Sequence, residues 1–316
     1  MTLFHQILEI LADGERHSGV ALARELGVSR AAVSKAVGLA LADVPVEVGR
    51  RGYRLPAVFR PLNAARIQGV LAAAAQPLER LTICEEIEST NQALLTSPGE
   101  GVQICLAERQ TAGRGRRGRV WQATPYGSVL LSVAWTITET AGPLGVISLA
   151  AGVAVARALE SVGVPEAVLK WPNDVLWQAR KLAGVLTELR GEAGAMRVVV
   201  GVGINVAIGA SAARAIDQEW AELRAICPDV DRSDLAALVI AELLSVMDDF
   251  RRGRRAALLT QWRHRHAFAD MPARIHEGQG ACDARVIDVD DEGALIVEVH
   301  GKRRRLQAGD VSVRPL

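Results

Sequence analysis

The sequence predicts an α+β fold in three parts, and three observations carry that prediction. Amphipathic helices broken by tight glycine turns occupy the N-terminal region. Strand-like apolar runs with helices between them fill the middle, and short alternating strands with polar turns close the chain. At 316 residues the chain is long enough for two or three domains with a sizeable core.

In the first part, Leu3, Phe4, Ile7, Leu8 and Leu11 recur at helical spacing. Ser18 stands where an N-cap belongs, and Ala21, Leu22 and Leu26 form a second apolar stripe that Gly27 stops. Ser29 caps a third helix carrying Ala32, Val33 and Val37. Two short helices around a glycine turn make a helix-turn-helix. Residues 44–48, the turn Gly49-Arg50-Arg51-Gly52 and residues 53–55 then read as a strand pair, a wing. This domain is set at 1–58.

Prolines at 56 and 61 interrupt the pattern, and the linker is set at 59–80 with a helix over 63–75. Within the central domain, set at 81–268, strands are expected at 81–87, 102–107, 128–135, 168–171, 182–189 and 197–202. Helices are expected at 144–162 and 234–251. The last domain, 269–316, has strands at 284–289, 294–299 and 311–314 around the turn Asp291-Glu292-Gly293, the pattern of a small SH3-like β-barrel.

Composition narrows the function classes. A net charge of +1 excludes a generally basic nucleic-acid coat but leaves room for local basic patches. Cys84, Cys105, Cys227 and Cys282 show neither a C-x-x-C pair nor metal-ligand spacing, and read as reduced packing thiols. Residues 1–11 form an amphipathic helix rather than a leader, and no apolar run is long enough to span a bilayer. A soluble, cytoplasmic protein with no membrane partner is expected.

The most informative stretch is Gln110-Thr111-Ala112-Gly113-Arg114-Gly115-Arg116-Arg117-Gly118-Arg119. Its glycines let backbone N–H groups approach a ligand, and its arginines offer forked donors for phosphate or carboxylate oxygens. It matches neither the dinucleotide-binding glycine pattern nor the P-loop ending in G-K-[ST]. The alternative is a solvated basic loop that binds RNA. Lys170-Trp171-Pro172-Asn173-Asp174 follows a strand, and residues 174–180 read as the hairpin that brings Lys181 back to the same sheet end. Gly201-Val202-Gly203-Ile204-Asn205 closes a strand with two glycines, fitting backbone that lies against a ligand or a simple bulge.

Taken in order, S-T-N at 89–91, Q-T-A-G-R-G-R-R-G-R at 110–119, K-W-P-N-D at 170–174, K-L-A-G at 181–184 and G-V-G-I-N at 201–205 resemble the motifs of biotin–protein ligases. The similarity covers nearly the whole chain. Its N-terminal part is similar to the bifunctional type that also represses biotin synthesis, and residues 309–314 resemble the final strand of the family's C-terminal barrel. The resemblance implies a central domain of the class II synthetase, biotin/lipoyl-ligase kind. It implies that ATP and biotin, with Mg²⁺, form biotinyl-5′-AMP, and that biotin passes to a lysine of a biotin carboxyl carrier protein such as that of acetyl-CoA carboxylase.

Carried over by position, Ser89, Thr90, Asn91 and Gln110 match biotin contacts. Arg114, Gly115 and Arg116 match the loop that closes over biotin and the activated phosphate. Lys181 matches the lysine between the biotin carboxylate and the α-phosphate, so Arg116 and Lys181 are the expected catalytic pair. Arg117, Trp121, Asn173, Asn205 and Trp220 fall on the ATP or adenylate side, and Asp174 is a candidate for the metal. Trp220 has helix packing as its plain alternative. Residues 1–58 carry seven basic against six acidic side chains, about +1, weighted toward the third helix and the wing. Ser29, Arg30, Ser34 and Lys35 are candidates for the major groove of operator DNA, and Arg50 and Arg51 for its backbone or minor groove. The family implies a homodimer when adenylate is bound. Competing readings are a lipoate–protein ligase, a biotin-sensing DNA-binding regulator without ligase activity, and a degenerate winged helix that only tunes the enzyme.

Overall fold

A computed structural model describes the chain apart from residues 42, 74–77, 138–143, 193–194, 278–279 and 310. Helix α1 (Leu3–Leu11) is capped by Thr2, α2 (Gly19–Glu25) by Ser18 and α3 (Arg30–Ala40) by Ser29; each hydroxyl accepts a first-turn N–H. Ile7, Leu8, Leu11, Leu22, Val33 and Val37 are all but inaccessible, so the three helices share one small core. The strand pair is shorter than the sequence pattern suggests: β1 (Glu47–Gly49) pairs with β2 (Gly52–Arg54), leaving Arg50-Arg51 as a two-residue turn. Val44 and Val46, expected in the first strand, are buried and pack instead of pairing. Gly52 sits at φ +119°, and a Cβ there would overlap the His17 carbonyl oxygen. The approach is that close because His17 and Tyr53 exchange both backbone hydrogen bonds, at 2.9 and 2.8 Å.

Helix α4 (Ala64–Ala73) fills the linker; Ala75, its expected end, lies outside the described residues. The central domain runs β3 (Arg80–Ile87), α5 (Thr90–Thr96), β4 (Gln103–Gln110), β5 (Ser128–Ile137), α6 (Leu144–Ser161), β6 (Val168–Lys170), β7 (Asp174–Trp177), β8 (Arg180–Glu192), β9 (Ala195–Asn205), α7 (Ala210–Ala215), α8 (Arg232–Arg251) and α9 (Arg255–His264). Its strands form one seven-stranded sheet in the order β3-β4-β5-β9-β8-β7-β6. The β3–β4 pair is parallel and the rest are antiparallel.

Alternation gives this sheet two unlike faces. Val129, Leu131 and Val133 of β5 and Val198, Val200 and Val202 of β9 belong to the main core with α6 and α8. Residues that alternate with them, Ser132, Gly201 and Gly203, share the other face with α5.

The hairpin expected at 174–180 is present and contains a strand of its own. Asp174 opens strand β7, and Gln178-Ala179 alone form the turn, both left-handed (φ +48° and +63°). Turn-forming residues at 172–174 masked the apolar run Val175-Leu176-Trp177 that follows them. At the C-terminus, β10 (Pro272–Glu277), β11 (Gly280–Val289), β12 (Leu295–Val299), β13 (Lys302–Leu306) and β14 (Val311–Pro315) form a five-stranded antiparallel sheet, ordered β13-β12-β11-β10-β14. Strand β13, which begins Lys-Arg-Arg-Arg, carries no apolar alternation and was not foreseen.

Among the buried polar contacts that lock the parts together, two stand out. Arg232 and Glu108 form a fully buried ion pair at 2.7 Å. The same guanidinium donates to Ser128 O (2.9 Å) and to Arg60 O (2.6 Å), while Glu108 accepts from Leu62 N at 2.5 Å. Further along, the Trp171 indole, 2% exposed, donates to Gly293 O at 3.0 Å and so ties the central sheet to the C-terminal one.

Candidate active site

The polar face of the sheet begins at the turn from β3 into α5. Ser89 takes extended backbone and caps α5, accepting from Gln92 N at 3.4 Å. Thr90 and Asn91 therefore fall in the helix's first turn, pointing at the sheet, and all three residues are buried. Gln110, at the end of β4, accepts from Thr90 N at 2.8 Å. Ser132 Oγ lies 2.7 Å from Thr90 Oγ1 and 2.6 Å from Asn91 Oδ1. This end of the site is polar and neutral.

Glycines form the floor. Gly184 of β8 lies opposite Gly203 of β9, and Ser132 lies opposite Gly201. A Cβ at Gly203 would come within 2.5 Å of the Trp121 indole, and one at Gly184 within 2.9 Å of the same ring. The absence of both side chains makes the shelf on which Trp121 rests. Its indole Nε1 is buried without a hydrogen-bond partner.

The basic stretch leaves β4 as a closed hairpin, not an open coil. Trp121 N donates to Gly113 O (2.9 Å) and Gly115 N to Arg119 O (2.7 Å). Arg117 and Gly118 supply the left-handed turn, at φ +61° and +71°. The Arg116 guanidinium reaches across to Asn173 Oδ1 (3.5 Å), Gly309 O (3.0 Å) and Ala308 O, bringing the loop, the 170–174 segment and the C-terminal sheet to one point. Arg114 Nη1 lies 3.5 Å from Gln92 Oε1.

Lys181 sits between the two ends of the site. Its Nζ lies 2.7 Å from Asp174 Oδ1 and 5.3 Å from the centre of the Trp121 ring. Asn173 holds β8 from the side, donating to Val185 O at 2.8 Å. Trp220 bridges Lys181 through the backbone, and Asn205 Nδ2 donates to Lys181 O and Ala221 O while its buried Oδ1 has no partner.

Lys170 was not singled out by its motif, yet it belongs to this cluster. Burial pushes its ammonium below the ordinary lysine range; Asp174 opposes the shift, and Lys181, Arg314 and Arg119 add to it. A poorly solvated neighbourhood crowded with cations favours a polyanion. Ser132 and Glu188 lie outside every motif, because a lone polar residue in a strand carries no periodic signal.

The six residues proposed for DNA lie elsewhere. Ser29, the cap of α3, and Arg30, Ser34 and Lys35 on that helix are exposed, as are Arg50 and Arg51 at the tip of the β1–β2 turn.

Comparison with known proteins identifies the family. Residues 83–205 match the biotin/lipoate A/B protein ligase family model. The bifunctional ligase/repressor BirA of Escherichia coli (strain K12) is 36% identical over 318 residues, covering 98% of this chain and 96% of that one. A biotin–[acetyl-CoA-carboxylase] ligase of Mycobacterium tuberculosis is 34% identical, over 79% of this chain and 95% of its own. Among solved structures, the biotin protein ligase of Aquifex aeolicus in complex with biotin and ATP superposes with a TM-score of 0.65 at 25% identity, covering 76% of this chain and all of that one. On these grounds the chain belongs to the biotin protein ligase family.

Proposed function

We propose that the chain uses ATP to convert biotin into biotinyl-5′-AMP and then transfers the biotinyl group to a lysine of a biotin carboxyl-carrier domain, as in acetyl-CoA carboxylase. The observation that carries this reading is the junction at Lys181, where a neutral hydroxyl-and-amide pocket meets a cationic cluster over a glycine floor. Biotin has the matching polarity: a neutral cyclic urea at one end and a carboxylate at the other.

Ser89, Thr90, Asn91 and Gln110 form the urea end. Lys181 and Arg116 neutralise the carboxylate and α-phosphate, which repel each other until cations stand between them. A carboxylate oxygen attacks the α-phosphorus, and the bond to pyrophosphate breaks. Lys170, Arg119 and Arg314 extend the positive field toward the leaving group. The neutral amine of the acceptor lysine then attacks the anhydride carbonyl, and AMP leaves with the bonding electrons. Trp121, Arg114, Gly115 and Arg117 shield the intermediate from water. Asn205, with its unpartnered acceptor, and Trp220 suit the adenine.

Magnesium fits modestly. Among the described residues no group of three His, Cys, Asp or Glu could hold a metal. Mg²⁺ bound chiefly by phosphates and water needs one or two carboxylates, and Asp174 with Asn173 would supply that edge and offset phosphate charge.

The finer architecture belongs to the same proposal. Residues 1–58 are a winged helix-turn-helix, 59–80 a linker, 81–268 the catalytic domain and 269–316 an SH3-like barrel. Exposed Ser29, Arg30, Ser34, Lys35, Arg50 and Arg51 suit operator DNA, read by an adenylate-bound homodimer.

The test is incubation with biotin, Mg²⁺ and α-labelled ATP, with and without a carrier domain. Biotin-dependent adenylate that the carrier discharges, with its lysine modified, is the expected result. Biotin binding without turnover would leave a sensor-regulator, and turnover with lipoate alone would redirect the substrate.

A further inference from the structure

We infer that Glu188, which touches no substrate in the scheme above, sets the direction of a buried hydrogen-bond chain that turns the Thr90 hydroxyl into an obligate acceptor for a ligand N–H. The inference rests on the biotin reading, because the ligand group it assigns is a ring N–H of the cyclic urea.

The chain starts at the Asn91 amide. Its Nδ2 donates to Glu188 Oε2 at 2.7 Å and to Leu186 O at 3.2 Å. Both partners are pure acceptors, so the amide cannot turn over: the flipped form would set its oxygen against a carboxylate and a carbonyl. Asn91 Oδ1 is thereby aimed at Ser132. Gly201 makes room for it, since a Cβ there would overlap Oδ1 and lie 2.9 Å from Asn91 Cγ.

The next two contacts follow from counting protons. Ser132 Oγ lies 2.6 Å from Asn91 Oδ1, and an amide oxygen brings no proton, so Ser132 must donate its own. Ser132 also lies 2.7 Å from Thr90 Oγ1. With its proton spent, it can only accept there, so Thr90 donates to Ser132. A hydroxyl has one proton, and Thr90 has now used it. Gln110 Oε1, 3.2 Å from Thr90 Oγ1, cannot recapture that proton and is in any case satisfied by Thr90 N at 2.8 Å. What Thr90 can offer the site is a lone pair. Asn91, whose two hydrogens and oxygen all have protein partners, acts as the lever and Glu188 as its stop.

All three links from Thr90 to Asn91 are at least nine-tenths buried, so water competes little for these bonds. The pocket therefore recognises donor against acceptor, beyond shape alone. Glu188 is a positioning residue for substrate specificity: it acts three hydrogen bonds away, through Asn91 and Ser132.

The experiment uses biotin and two cyclic carbamate analogues, each with one ring N–H replaced by an ether oxygen. Binding to the full chain is measured by calorimetry. The wild type should disfavour one of the two analogues by about 100-fold, because two lone pairs then face each other. In Glu188→Leu the amide loses the stronger of its two anchors and can invert, so that preference should fall at least about tenfold. Ser132→Ala, which frees the Thr90 proton, should do the same. Glu188→Gln keeps an acceptor oxygen and should retain the preference within about threefold. A merely structural Glu188 would weaken biotin and both analogues by one common factor; that result, with thermal melts confirming folded protein, would overturn the proposal and leave the ligase reading intact. A wild type that binds no biotin would overturn both.

Discussion

The two faces of the central sheet are made from the same strands and follow opposite rules. On one, Val198, Val200 and Val202 alternate into a core closed by α6 and α8. On the other, the intervening Gly201 and Gly203 expose bare backbone to Trp121 and Asn91. Adjacent residues of β9 thus serve stability and recognition separately, and the pleat keeps the two functions from mixing.

The sharpest way to break that separation is at its open face. Lys181→Ala removes the cation between carboxylate and phosphate and should slow adenylate formation about 10³-fold in single-turnover assays, with the melting temperature nearly kept. The neighbouring pair Gly201→Ala and Val200→Ala should then split cleanly. The first displaces the Asn91 amide and should weaken biotin-dependent turnover about 10²-fold. The second opens a cavity beside Trp135, Ile147 and Leu243 and should cost about 2 kcal/mol in urea unfolding with turnover intact. Equal effects of both on turnover would mean that the faces are not independent.

The core side also holds a titratable ring. Burial pushes the His266 imidazole down to about 4 from an ordinary 6.5, with Asp288 opposing the shift, and the ring lies tilted against Trp262 with centroids 4.4 Å apart. The unfolded chain takes up a proton that the folded one refuses. Stability is therefore complete above about pH 6.5 and declines toward pH 4, by about 2 kcal/mol at pH 5. His266→Phe should flatten that part of the urea-stability profile. The smallest effect lies farthest from the sheet: Arg50→Ala or Arg51→Ala should each make the salt dependence of operator binding shallower by about one unit of log–log slope, leaving adenylation unchanged.

Sequence reading went well where signal is local. Ser18 and Ser29 announce caps, and Gly201 and Gly203 announce a bare strand. It failed where meaning depends on a distant partner. Glu188 is one acidic residue on a half-exposed strand until Asn91, 97 positions earlier, is folded against it. Glu108 and Arg232, 124 apart, give no hint of each other. Strand β7 was lost for a different reason, since the turn residues at 172–174 outweighed three apolar ones after them.

The Arg232–Glu108 pair has a mechanical consequence for the segment it grips. By holding Arg60 O and Leu62 N, it removes the slack from the connection between the N-terminal helices and the sheet. A slack connection would let paired recognition helices search a range of separations; a pinned one makes the protein a caliper. In the proposed dimer the protein, and not the DNA, would then dictate the distance between half-sites, and inserting a single base pair at the operator's centre would rotate one half-site by about a tenth of a turn out of its reach.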